Sequence, residues 1–180
     1  YYWISPVSLK EDALHIEADR MRHALLRAED LASEMTVVRN EYESGENDPM
    51  QRLGKQAWYQ AFSVHPYRIP TIGTKEDIEG ITVEKLRKFY DAFYWPNNAT
   101  VTIVGDTDTE SALLVAEEAF GSLPKAEIIE PEFHAEPEQK GERRFELKRQ
   151  GAVNALMMCF KAPAGLAEDA YAVSALSAVL

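Results

Sequence analysis

Apolar positions recur at helical spacing over much of the chain. Leu14, Ala18, Met21, Leu25 and Leu26 follow Ser8, which with Glu11 three residues on has the form of a capping box, so a helix is predicted from there. A second helical stretch carries Glu34, Val37, Val38 and Glu41 and is predicted to end near Gly45, a residue suited to a helix terminus. Asp48-Pro49 then has the composition of a new helix start, with Asp as cap and Pro at the first position, ahead of the stripe Leu53, Ala57, Trp58, Ala61 and Phe62. Pro66, Pro70 and Gly73 make 64–74 a loop. Thr74 with Asp77, and Thr82 with Lys85, mark two further starts, the second leading into Leu86, Phe89, Tyr90 and Phe93 as a core-packing face. After a turn at Pro96-Asn97-Asn98, Asp108 or Thr109 is predicted to cap a helix that turns Leu113, Leu114, Ala116 and Phe120 inward and stops at Gly121.

Between the helices lie candidate strands. Residues 1–7 and 99–104 are rich in aromatic or β-branched side chains. Phe145 and Leu147 alternate with charges over 143–149, as in a half-buried strand, and the apolar run 155–160 has the pattern of a strand covered on both faces. A last helix is predicted from about Ala167 to Leu180. Two prolines and many glutamates between Lys125 and Glu142 read as an exposed connector.

Composition narrows the classes of function. The chain has 180 residues, 46% of them apolar, which permits a core and argues against disorder. Its formal charge is −11, from 30 acidic and 19 basic residues, and this disfavours binding to nucleic acid or to an anionic membrane surface. No stretch reaches the apolar length of a membrane span. The single cysteine, Cys159, excludes an internal disulfide and, lying in an apolar run, is expected to be buried and inert. Tyr1-Tyr2-Trp3-Ile4 has no basic start of a signal peptide and reads as the middle of a strand, as in a piece of a longer protein.

Glu34 and Glu41 carry the candidate chemistry. Seven residues at 3.6 per turn return the chain almost to the same angle two turns on, with Val37 and Val38 between them on a side predicted to be buried. Carboxylates beside a buried stripe cost desolvation unless they are paired or hold a metal. The competing reading of the spacing is a solvated acidic face. His15, Asp19 and His23, four apart, are read as a polar outer face rather than a metal site, and His65 as a loop histidine without a catalytic role. Val104-Gly105-Asp106 lacks the lysine and glycine pattern of a phosphate cradle.

The Glu-(six residues)-Glu helix is followed in order by Asn47-Asp48-Pro49, His65-Pro66-Tyr67, Thr71-Ile72-Gly73, the aromatic helix 89–94, Pro96-Asn97-Asn98-Ala99-Thr100 and Val104-Gly105-Asp106. This ordered set resembles the pitrilysin/insulinase family of zinc metallopeptidases, which includes the mitochondrial processing peptidases. The resemblance implies an α+β fold, helices sandwiched on a mostly antiparallel sheet. Residues 1–124 would be the later part of a zinc-peptidase domain, 125–142 an acidic linker, and 143–180 the start of a second domain of similar fold. It also implies Zn2+ bound by two histidines of an H-x-x-E-H motif and by a downstream glutamate. By that pattern Glu41 is the metal ligand and Glu34 a supporting acidic residue at the catalytic site. The implied partners are a peptide substrate and further domains of the same fold, in the same chain or in a second subunit. H-x-x-E-H is absent from these residues and is expected before Tyr1, so the fragment alone is expected to bind zinc poorly and to cut nothing. A noncatalytic partner subunit of the same family and an unrelated acidic interaction module are the alternatives. Bacterial relatives of this kind point to the periplasm, with the cytoplasm as the other expectation.

Overall fold

The computed structural model describes residues 2–128, 130, 132, 134–151 and 154–179. Among the described residues seven α-helices form: α1 Lys10–His23, α2 Ala28–Asn47, α3 Pro49–Ala61, α4 Lys75–Glu79, α5 Val83–Phe93, α6 Thr109–Phe120 and α7 Ala170–Val179, with short 3-10 turns at Val7–Leu9, Pro66–Arg68 and Pro96–Asn98. The chain divides into two units, Tyr1–Val37 with Glu79–Glu132 and Val38–Ile78 with Phe133–Leu180.

The predicted α+β sandwich is overturned: among the described residues there is no strand and no sheet. The segments expected as strands, 2–7, 99–104, 143–149 and 155–160, carry no ladder, and Tyr1 lies outside the described residues. Side-chain pattern expresses a preference for extended backbone, but a strand exists only when a neighbour takes its N–H and C=O groups. No described segment does so here, and Val104 and Phe160 remain 91% and 86% exposed. Cys159, expected to be buried, is exposed, as are the other residues of its run except the half-buried Met157.

Local helix signals fared better than the strand pattern. The Asp48 carboxylate accepts the N–H groups of Met50 and Gln51, both at 2.8 Å, and Pro49 opens α3 as predicted. Replacing Asp48 with alanine is expected to cost about 1 kcal/mol, read as a lower urea midpoint with an unchanged slope. Thr74 and Asp77 form a reciprocal box: the threonine hydroxyl accepts from the Asp77 N–H at 3.1 Å, and the carboxylate accepts from the Thr74 N–H at 2.9 Å. Gly73, at φ +83°, supplies the left-handed turn that precedes it. Asp108 caps α6 through the Ser111 N–H at 2.8 Å, which holds its carboxyl below the usual range. Ser8 does not cap α1, because residues 7–9 close into a 3-10 turn with the Leu9 N–H on the Pro6 carbonyl. The last helix starts at Ala170 rather than near Ala167, and Leu180 lies outside the described residues.

In the first unit, α1 packs on α6. Ala18, Val115 and Ala119 are buried there, small residues that allow two helices to approach closely. The face predicted for α6 is therefore only partly right: Ala116 and Phe120 are half-buried, but Leu113 and Leu114 are 66% and 60% exposed. Lys10 ties the start of α1 to the start of α6, its Nζ donating to Thr107 Oγ1 at 3.0 Å and Ser111 Oγ at 2.9 Å.

Helix α5 is joined to α1 through Tyr90, which is buried. Its hydroxyl donates to the Arg20 carbonyl at 2.9 Å and accepts from the Ala24 N–H at 3.1 Å. Those two backbone groups would otherwise bond each other as the next rung of the helix. The hydroxyl occupies that rung, so α1 ends at His23, Ala24 turns extended and Leu26 takes φ +44°, whereas periodicity had carried the helix to Leu26. Arg22 donates to the Tyr94 carbonyl at 2.8 Å and lies over the Trp95 ring at 3.5 Å.

In the second unit, α3 and the 3-10 turn 66–68 share an aromatic cluster. Trp58 and Phe62 stack with centroids 5.5 Å apart, and Tyr67 meets both edge-on. Ala57 is buried beneath this stripe. Arg149 donates to the Glu46 carbonyl at 2.7 Å, fastening the later part of the chain to the end of α2.

Candidate functional site

Helix α2 carries both sequence-predicted site residues. Its ends are held by ion pairs. At the start, the Arg27 guanidinium grips Asp30 through Nε–Oδ2 at 2.7 Å and Nη2–Oδ1 at 3.1 Å, and this hydrogen bonding lowers the Asp30 carboxyl. Towards the end, Glu46 takes Lys55 at 2.7 Å and also pairs with Arg52. Leu31, Met35, Val38, Tyr42 and Gly45 form its half-buried stripe, alternating steps of four and three residues.

Glu34 and Glu41 flank this stripe rather than sit in it. Both are exposed, as is Val37 at 56%, and α2 buries none of its residues. The desolvation argument for a metal at a buried face is thereby corrected: neither carboxylate is withdrawn from water. What distinguishes them is lack of partners. Glu29 and Asp30 pair with Arg27, and Glu46 pairs with Arg52 and Lys55, while Glu34, Glu41 and Glu43 have neither an ion pair nor a side-chain hydrogen bond among the described residues. Glu43 lies two residues on from Glu41, hence on the far side of the helix, which leaves Glu34 and Glu41 as the unpaired acids sharing one face about 10 Å apart along the axis.

An exposed, unengaged carboxylate is a competent oxygen donor to zinc, and Glu41 fits one position of such a site. The remaining donors are not brought to it. Among the described residues no three His, Cys, Asp or Glu side chains converge. His23 bonds Asp19 at 2.8 Å, and His65 Nδ1 accepts from the Tyr67 N–H at 3.2 Å. These contacts agree with reading both histidines as local structure.

A family model described as "Peptidase M16 inactive domain" matches residues 80–180, more than half of the chain. The chain belongs to the M16 peptidase family. The resemblance read from the motifs is upheld, although the matched region excludes α2 and both glutamates. Zinc protease PqqE of Helicobacter pylori is 28% identical over 174 residues, 94% of this chain and 39% of that protein. An uncharacterized zinc protease of Mycobacterium leprae is 30% identical over 112 residues, 62% of this chain and 25% of its own. The M16 chain thus spans about two fifths of PqqE and less of the other. Among solved structures, a protease from Helicobacter pylori superposes with a TM-score of 0.69 at 27% identity, covering 74% of this chain and 33% of that one. The first half of the periplasmic protease PqqL from Escherichia coli gives 0.64 at 22% identity over 71% of this chain and 27% of that chain, a likeness of fold. No described helix is long and apolar enough to cross a membrane.

Tyr90 is buried, as its place on a core-packing face predicted, but the sequence did not show that its hydroxyl binds backbone groups of α1, and it gave no sign of the role of Glu136. A tyrosine in an aromatic helix and a glutamate in an acidic run give no local sign of the backbone groups they bind.

Proposed function

We propose that this chain is part of a zinc-dependent M16 endopeptidase, to which it contributes the Glu41 carboxylate as a metal ligand, and that it has no activity by itself. The observation that carries the reading is the unpartnered, exposed Glu41 on a helix that falls within a match to a zinc protease along 94% of the chain. Bound zinc with three protein ligands keeps one position open and brings the pKa of its water to about 7. Within the chain, α2 presents Glu41 without a competing cation, and Glu34, on the same face, is available to orient a neighbouring ligand through a hydrogen bond. The substrate is a peptide, the other ligands lie elsewhere in the parent protein, the paired domains lie in the same chain or in a partner subunit, and residues 1–124, 125–142 and 143–180 are successive domain, linker and domain. A periplasmic location accords with the fold neighbour PqqL.

Zinc content tests the proposal. In the parent protein, Glu41→Gln is expected to lower bound zinc far below one ion per chain by metal analysis after gel filtration. Unchanged stoichiometry would remove Glu41 from the ligand set. A second reading, a noncatalytic subunit of the same family, is favoured by the match to an inactive domain over 80–180. Under that reading the parent holds no zinc even with Glu41 intact.

A further inference from the structure

The bend that leaves α3 converges three backbone N–H groups on one carboxylate from far along the chain. Glu136 accepts from Ser63 through Oε1 at 2.7 Å, and from Val64 and His65 through Oε2, both at 2.8 Å. These donors precede the turn 66–68, whose first residue is a proline with no N–H to offer. Consecutive amides turned to one side make a concave anion site, and a carboxylate fills it with charge-assisted bonds. The bend is braced from outside: Arg68 donates to the Ser63 carbonyl at 2.9 Å, while Arg143 donates to the Gln60 carbonyl at 2.6 Å and to Ser63 Oγ at 3.3 Å. Lys161, 3.7 Å from the Phe62 ring centroid, adds positive charge close by.

We propose that residues 63–65 form a carboxylate-binding nest occupied from within the chain by Glu136, and that this contact is a releasable latch holding the segment 134–144 against the end of α3. The nest recognises the carboxylate group and not the rest of the glutamate, so a small carboxylate in solution takes its place once Glu136 is removed. Arg143 forms the second tether of the same segment on the same bend, which is why loss of Glu136 loosens the segment without freeing all of it.

Acid releases the latch. The Glu136 carboxyl is held down at about 2 from 4.5, chiefly by the His65 N–H and then by those of Val64 and Ser63, with Lys161 assisting and burial opposing. The charged or titratable side chains about the nest are His65 and Arg68 on the bend and turn, Arg143 on the same segment and Lys161 beyond it. Because the folded carboxyl titrates lower than the unfolded one, the latch contributes fully above about pH 4.5 and is lost as the pH falls towards 2.

The test uses the full chain, with amide NMR of Ser63, Val64 and His65 and trypsin cleavage at Lys140 as readouts. In Glu136→Ala the three amides are expected to shift, then to move saturably towards their original positions on addition of sodium acetate but not of matched sodium chloride. Wild-type amides are expected to ignore acetate. Cleavage at Lys140 is expected to become severalfold faster. Amides that stay in place in Glu136→Ala, or that fail to respond to acetate, overturn the proposal. Should Glu136→Ala not fold, Glu136→Gln keeps the shape without the charge, and cleavage at the wild-type rate in that variant is equally fatal.

Discussion

Tyr90→Ala is expected to destabilise the first unit by about 3 kcal/mol or more, the range for truncating a large buried aromatic ring. The loss has two parts, and a second variant separates them. Tyr90→Phe keeps the ring against Tyr94 and under Arg22 but removes the hydroxyl between the Ala24 N–H and the Arg20 carbonyl. That variant is expected to cost about 1–2 kcal/mol, since two part-buried backbone groups lose their shared partner. They are the right pair to bond each other instead, so α1 is expected to lengthen by one residue in Tyr90→Phe, with the Ala24 amide staying protected from hydrogen exchange although the hydroxyl is gone. Urea unfolding gives the energies. A phenylalanine variant as unstable as the alanine one would mean that the hydroxyl, not the ring, carries the junction.

If the parent is the zinc peptidase proposed above, Glu41→Gln is expected to lower its kcat/KM by at least about 100-fold, and Glu34→Gln by about 10-fold. The two glutamates occupy the same face of α2, are both exposed and have no ion pair or side-chain hydrogen bond among the described residues, so geometry alone does not rank them. Ranking comes from their roles in the proposed site. Loss of a ligand removes zinc and activity together, whereas loss of a supporting acid leaves zinc bound and lowers the rate. Peptide hydrolysis assayed alongside metal content separates these outcomes. If neither variant changes either quantity, the pair is a solvated acidic face and the zinc proposal fails for this chain.

What could be read from the residues beforehand follows the range of the forces involved. Asp48, the Thr74–Asp77 box, Thr82 and Asp108 act on amides two or three positions away, and all four caps form where their residue types indicated. The inward face of α6 depends instead on α1, nearly a hundred residues earlier. Leu113 and Leu114 are more apolar than Ala119, yet Ala119 is the residue that lets the helices close. Strands failed for a related reason: β-branched side chains at 99–104 express a preference, while the ladder requires a partner that the described chain does not bring. At the candidate site, the seven-residue spacing put Glu34 and Glu41 on one face as expected. Their exposure depended on what else packs on α2, and no repeat of apolar letters conveys that.

The largely exposed run 155–160 gives the molecule a built-in reporter. Cys159 is the one thiol in the sequence and it faces water. Within this chain a maleimide dye therefore goes to a single address without mutagenesis, and its emission would record whether an added domain comes to rest over that run.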